Sequence, residues 1–250
     1  MTERLSDDDE RRIAENIEAI RGRMARAALR AGRKPEDIEL MAVTKTMPAA
    51  AANAALRAGV RLIGENRVQE LCSKLPELEL DGGEGMPGAK VHLIGHLQTN
   101  KIGQVLGHID MLESVDSAHL ARELSRRAVA EGCVLDVLME INIGGEDSKT
   151  GIKKEAAPAL ACEISQLPGL RLRGLMAVPP FDPDKEKIRP FFAQMKHLFI
   201  DIRAEKTDNR DMNILSMGMS SDFETAIEEG STLVRIGTAI FGERIRRLEQ

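Results

Sequence analysis

Glu39-Leu-Met-Ala-Val-Thr-Lys45-Thr-Met-Pro48 is the stretch on which the chain turns. The apolar run Leu40 to Val43 predicts a buried strand. A lysine then stands at the strand's end, and Pro48 suits the first turn of a helix. An ammonium drawn toward an interior is disfavoured against the neutral amine, so its pKa falls from the usual value of about 10.4. Such an amine is a nucleophile toward carbonyl carbon, the chemistry of Schiff-base enzymes. The competing reading is a lysine that snorkels out of a strand end and does no chemistry. The far end of the chain weighs against it.

Outward from this stretch, strand and helix alternate. Ser6 and the acids after it predict a helix N-cap. The helix runs to about Ala31, with Ile13, Ile17, Ile20, Met24 and Ala28 on one stripe and Gly32 as its stop. After the Lys45 strand come a helix over Ala49 to Ala58, a strand over Val60 to Asn66 and a helix over Val68 to Leu75. Further strands are predicted at Val91 to Gly95, Asp110 to Val115, Leu135 to Ile143, Leu170 to Val178, Asn213 to Ser216 and Leu233 to Gly237. Helices fall between them at Thr99 to Leu106, Ser117 to Glu131, Glu155 to Gln166, Lys187 to Glu205 and Asp222 to Glu229.

Eight alternations imply parallel strands with crossover helices, and strands this apolar are covered on both faces. The expected fold class is α/β, a single (β/α)₈ TIM-type barrel, whose usual size matches 250 residues. Residues 1–250 are expected to form one domain, with residues 1–32 packed on the barrel as an N-terminal helix. The glycine-rich stretch 81–88 is expected to be a surface loop with no assigned role.

Composition narrows the function. The chain is 42% hydrophobic and 30% charged, with a net charge of −5 and its acids and bases well mixed. That argues against a basic face for nucleic acid. Six phenylalanines, no tryptophan and no tyrosine leave few platforms for base stacking. Cys72, Cys133 and Cys162 are dispersed, without the spacing of a zinc site or a disulfide framework. The acidic start does not resemble a signal peptide, and no apolar run reaches membrane-span length. A cytoplasmic monomer is expected.

Two motifs answer Lys45 from the far end. Ser216-Met-Gly-Met-Ser220-Ser-Asp222 follows the seventh strand, and Arg235-Ile-Gly237-Thr238 closes the eighth. In barrels the loops after these strands commonly build a phosphate site. Gly218 and Gly237 would let the backbone approach, and Ser216 and Thr238 would donate hydroxyls. The alternative is an ordinary turn with Ser220 or Ser221 as N-cap. Arg235 sits between Val234 and Ile236, so a guanidinium lies within an apolar strand and needs a partner. That partner is either a core carboxylate or the ring nitrogen of a bound cofactor.

Other features are set aside. Gly144-Gly-Glu-Asp-Ser-Lys149-Thr-Gly lacks the glycine that a P-loop requires before its lysine. His92 and His96 are read as barrel-end polar residues and not as a metal pair.

Ala42-Val-Thr-Lys-Thr, Gly64-Glu-Asn-Arg-Val-Gln-Glu70, His92-Leu-Ile-Gly-His-Leu-Gln-Thr-Asn-Lys101, Ser216 to Asp222 and Val234-Arg-Ile-Gly-Thr-Ala-Ile-Phe-Gly242 together resemble the pyridoxal phosphate homeostasis proteins. The resemblance runs from about Ile13 to Arg244. It implies a barrel akin to the N-terminal domain of bacterial alanine racemases, with pyridoxal 5′-phosphate (PLP) held as an aldimine on Lys45. It further implies Arg235 facing the pyridine nitrogen, Ser216, Gly237 and Thr238 on the phosphate, and Asn66 near the ring.

The likeness leaves open a PLP carrier that buffers and delivers the cofactor to PLP-requiring apo-enzymes, and a racemase-type enzyme. The racemases it resembles use a tyrosine on the face opposite the lysine, and this chain has none. No second domain is expected after Gln250. An arginine at the pyridine nitrogen would weaken the ring as an electron sink. The carrier is therefore the expected function. A cofactor-free Schiff-base aldolase would leave Arg235 and the phosphate motifs without a purpose.

Overall fold

In the computed structural model, which describes residues 5–82, 87–146, 149–205 and 210–242, eight parallel strands close in chain order into a barrel. They are β1 (Glu39–Val43), β2 (Leu62–Glu65), β3 (Lys90–Leu93), β4 (Met111–Val115), β5 (Leu135–Ile141), β6 (Leu170–Ala177), β7 (Arg210–Ser216) and β8 (Leu233–Ile236). Helix α1 (Asp7–Arg30) precedes β1. The strands are followed in turn by α2 (Ala49–Arg57), α3 (Val68–Lys74), α4 (Ile102–Val105), α5 (Ala118–Ala130), α6 (Ala157–Gln166), α7 (Lys185–Ala204), α8 (Phe223–Glu228) and α9 (Thr238–Phe241). Periodicity predicted the eight strands; closure comes from β8 pairing with β1, from Glu39 against Leu233 to Ala42 against Ile236. The short α9 was not predicted.

Helix α1 forms for local reasons. The Ser6 hydroxyl accepts from the Asp9 N–H, and four acids fill the first turn, where the helix dipole favours them. Its stripe of Ile13, Ile17, Ile20, Met24 and Ala28 is buried. The helix lies against α2, α8 and α9. Asn16 Nδ2 donates to the Ile240 carbonyl at 2.9 Å, Arg23 pairs with Glu224 at 2.9 Å, and Arg30 pairs with Glu228 at 2.8 Å. Among the described residues no helix is long and apolar enough to cross a membrane. Residues 83–86 of the glycine-rich stretch lie outside the described residues.

Strand residues alternate between the helices and the barrel interior. Inside, Met41, Val43, Leu62 and Leu233 form one apolar cluster and Met111, Leu138 and Met176 another. Buried beside them are five polar residues of the strands, His92, Glu113, Glu140, Ser216 and Arg235. Barrel interiors are usually dominated by bulky aliphatic residues. A charged group here therefore needs acceptors and countercharge from the strands around it.

The register of β6 shifts around Gly174 against both β5 and β7. A Cβ at Gly174 would lie 1.7 Å from the Ile214 carbonyl oxygen, so only glycine lets the two backbones approach this closely. Gly174→Ala should force the strands apart and lower stability by about 1–3 kcal/mol, the usual scale of overpacking. A urea unfolding midpoint equal to that of the unmodified chain would contradict the tight β6–β7 approach.

Candidate functional site

Lys45 lies just beyond β1, half-buried, in the wall of a cavity of about 920 Å³. The turn that carries it is held from behind. The Thr44 hydroxyl donates to Glu65 Oε1 at 2.6 Å. Lys74 Nζ, from the end of α3, donates to the Thr44 carbonyl at 2.8 Å and to Glu65 Oε1 and Glu70 Oε1 at 2.7 Å each. Glu70 also accepts the backbone N–H of Thr46, the residue after Lys45. Thr46 sits at φ 65°, in the left-handed region that a side chain with a branched Cβ seldom adopts. Such a conformation costs about 1–3 kcal/mol and persists only where the surroundings hold it. Glu65 is fully buried. Burial pushes its carboxyl pKa up, and the Lys74 and Thr44 hydrogen bonds only partly offset that.

The opposite wall is built by the two loops that the sequence singled out. After β7 the chain turns at Gly218, φ 96°, where a Cβ would meet the Ala226 side chain at 2.6 Å. The turn is pinned by the buried Asp222, whose Oδ1 accepts the Met219 N–H at 2.6 Å. Neither Ser220 nor Ser221 caps α8; its N-cap residue is Asp222. Ser220 Oγ instead accepts the Ala239 N–H from the first turn of α9 at 3.2 Å. Ser220, Ser221, Gly237, Thr238 and Ala239 all face the cavity. Hydroxyls and backbone N–H groups thus converge where barrels commonly hold phosphate.

Arg235 and Asn66 reach the same cavity. The Asn66 Oδ1 is buried and, among the described residues, has no hydrogen-bond partner, an orphaned acceptor at a polar wall. Arg235 donates through Nη1 to Ser216 Oγ at 2.6 Å and through Nη2 to the Ala177 carbonyl at 2.9 Å. Burial pushes its guanidinium pKa down, and Glu113, Asp222 and Glu140 oppose that shift. Ser216, read from sequence as a phosphate donor, lies elsewhere. It is fully buried, is absent from the cavity wall, and spends its hydroxyl proton on Glu113 Oε2 at 2.6 Å. Strand β7 continues through Ser216 and turns its side chain inward, so Ser220 occupies the place expected for it.

Glu140 and Asn142 at the cavity wall escaped sequence reading, and with them stand Lys149 and Thr150 of the rejected P-loop and His96, read as a barrel-end polar residue. The segment rejected as a P-loop thus reaches the cavity without acting as one. Lys149 pairs with Glu146 at 2.7 Å, and Thr150 donates to Glu140 at 2.6 Å. Burial holds the Glu140 carboxyl above the usual carboxylate range, partly offset by Thr150. The two histidines part company: buried His92 meets Glu113 at 2.7 Å, whereas exposed His96 lies 3.3 Å from Asp116.

Comparison with known proteins agrees with this geometry. The family model of the alanine racemase N-terminal domain matches residues 9–245. The pyridoxal phosphate homeostasis protein of Escherichia coli K12 is 43% identical over 232 residues, covering 93% of this chain and 97% of that protein. The crystal structure of an unknown protein from Bifidobacterium adolescentis superposes with a TM-score of 0.91 at 40% identity, covering 96% of this chain and 99% of the other. PipY of Synechococcus elongatus PCC7942, solved with PLP bound, superposes with a TM-score of 0.77 at 33% identity, covering 92% of this chain and all (100%) of PipY.

The clamp behind Lys45 has a pH signature. Lys74→Met leaves the Glu65 carboxylate buried without its cation, which typically costs about 3–5 kcal/mol. A carboxyl whose folded-state pKa is raised contributes stability below its unfolded pKa and loses it as pH rises through the folded value. The Lys74→Met deficit should therefore be large at pH 8 and shrink toward pH 4, as Glu65 takes up a proton. Chemical unfolding of both proteins across this range measures it; a deficit independent of pH would place the loss in packing and not in the ion pair.

Proposed function

Because this chain belongs to the alanine racemase N-terminal domain family and to its pyridoxal phosphate homeostasis proteins, we propose that it binds pyridoxal 5′-phosphate and acts in PLP homeostasis. The observation that carries the reading is one cavity that joins Lys45, Arg235 and the Ser220, Gly237 and Thr238 cradle. The donor set fits the ligand's three chemical features: an amine for the aldehyde, a guanidinium for the ring nitrogen, and hydroxyls with backbone N–H groups for the phosphate. The unpartnered Asn66 Oδ1 adds a polar contact beside the ring.

In this reading Lys45 holds the cofactor covalently: its amine nitrogen joins the aldehyde carbon as C=N, and the oxygen leaves as water. Bound PLP supplies an electrophilic carbon and an electron-withdrawing ring. Arg235 keeps the ring nitrogen unprotonated, which weakens that withdrawal. Ser220, Gly237 and Thr238 anchor the phosphate, and Ser216 holds Arg235 from beneath. The clamp of Glu65, Glu70 and Lys74 fixes the backbone of the Lys45 turn. The family likeness, the arginine and the lack of any tyrosine in the sequence support buffering and delivery of PLP over racemisation. Delivery to PLP-requiring apo-enzymes, a monomeric state and a cytoplasmic location belong to the same proposal.

Borohydride reduction of the PLP-loaded protein followed by peptide mapping should put the label on Lys45, and Lys45→Ala should lose the visible absorbance band. A full band in Lys45→Ala would remove the covalent assignment. The loaded protein should also restore activity to a PLP-requiring apo-enzyme. With a panel of L- and D-amino acids it should give no deuterium exchange at Cα faster than about one event per second, the low end of typical turnover. Faster exchange with any amino acid would restore the racemase reading.

A further inference from the structure

Beneath the cavity Arg235 and Ser216 continue into a chain of polar groups whose far members, Glu113 and His92, have no part in the proposed function. Arg235 Nη1 donates to Ser216 Oγ at 2.6 Å, the Ser216 hydroxyl donates to Glu113 Oε2 at 2.6 Å, and Glu113 Oε1 meets His92 Nδ1 at 2.7 Å. The chain crosses the barrel interior from β8 through β7 and β4 to β3. Glu113 and Ser216 are fully buried, and Arg235 and His92 are 4% exposed.

Two physical points give Glu113 a task. A guanidinium taken out of water needs compensating charge inside the protein. Yet the hydrogen bonds of Arg235 go to a hydroxyl and a carbonyl, both neutral. The charge on Glu113 reaches it through Ser216. The second point is direction. A serine hydroxyl has one proton and two lone pairs. An ionised carboxylate can only accept, so it accepts the Ser216 O–H hydrogen bond and leaves a serine lone pair facing Arg235. Burial alone would push the Glu113 carboxyl up, but the His92, Arg235 and Ser216 contacts outweigh it and hold it below the usual range. Of the other charged groups near Arg235, Glu140 lies on the cavity wall and Asp222 pins the loop after β7.

We propose that Glu113 is a positioning residue for Arg235. Acting through Ser216, it fixes the guanidinium in the cavity floor and so sets how firmly Arg235 holds the ring of the bound cofactor. This rests on the PLP reading for its ligand, but the orientation of Arg235 does not.

The test therefore has two arms, using Glu113→Gln, Ser216→Ala and the double variant. In the ligand-free protein, the side-chain ¹⁵N resonances of Arg235 should show slow rotation and slow hydrogen exchange, and both should speed up in each variant. In the loaded protein, each single variant should weaken PLP retention by about tenfold or more, the scale of one charge-assisted hydrogen bond, and should shift the visible band. The double variant should be no worse than either single one, because the residues act in series. Glu113→Asp should recover part of the effect. Arginine resonances and a visible band unchanged from wild type, with only a lower apo melting temperature, would make Glu113 merely structural and overturn the proposal; additive losses would overturn the serial link. If the wild-type protein takes up no PLP, the proposed function fails separately, and the arginine resonances still decide the role of Glu113.

Discussion

A guanidinium buried in the floor of the cavity constrains everything around it. Arg235 cannot deprotonate under ordinary conditions, and only 4% of it is exposed. The interior must therefore supply both acceptors and charge, and four strands contribute. The Ala177 carbonyl and the Ser216 hydroxyl accept, Glu113 supplies the charge behind the serine, and Glu140 stands at the rim. Met41, Leu62, Met111, Leu138 and Leu233 fill apolar layers of the interior, and the polar groups lie two residues further along the same strands: Glu113 after Met111, Glu140 after Leu138 and Arg235 after Leu233.

Around this floor the site is preorganised more than it is flexible. The Lys45 turn is clamped by a buried lysine and two glutamates, and the Ser220 loop by Asp222 and a glycine that no side chain can replace. Each device holds backbone in place and leaves a functional side chain to point into the cavity. Holding groups in advance of binding lowers the ordering cost that a ligand would otherwise meet. The left-handed Thr46 next to Lys45 is the visible cost of that arrangement.

Much of this was legible in the chain itself, and what escaped did so for definable reasons. The strands are short apolar runs bounded by glycine and polar residues, and such runs survive folding almost unchanged. Lys45 and Arg235 stood out because a charge in an apolar run is conspicuous. Glu113 in Met-Leu-Glu-Ser-Val and Glu140 in Val-Leu-Met-Glu-Ile carried the same signal, and parity along the strand would have pointed them inward. Ser216 and Ser220 share one sequence motif, and only the end of β7 tells which of them faces the cavity. Lys74 reads locally as a surface lysine at a helix end. Its burial arises from the approach of α3 to the turn after β1, a tertiary fact with no local pattern. Helix α9 is too short for periodicity to register.

The barrel is not equally stitched around its circumference. Strand β6 pairs with β5 along the whole of β5, whereas β7 and β8 share one ladder position, Ser216 against Leu233, extended by the Thr232 N–H to the Leu215 carbonyl, the Met217 N–H to the Leu233 carbonyl and the Arg235 N–H to the Gly218 carbonyl. Helix α1, outside the barrel, grips α8 and α9, the helices that follow these two strands, through Asn16, Arg23 and Arg30. The junction of β7 and β8 leads into the loops that carry Ser220, Gly237 and Thr238. Asn16, Arg23 and Arg30 thus tie together, from outside the barrel, the two short helices that follow those loops, so one helix early in the chain braces both halves of the cradle at once.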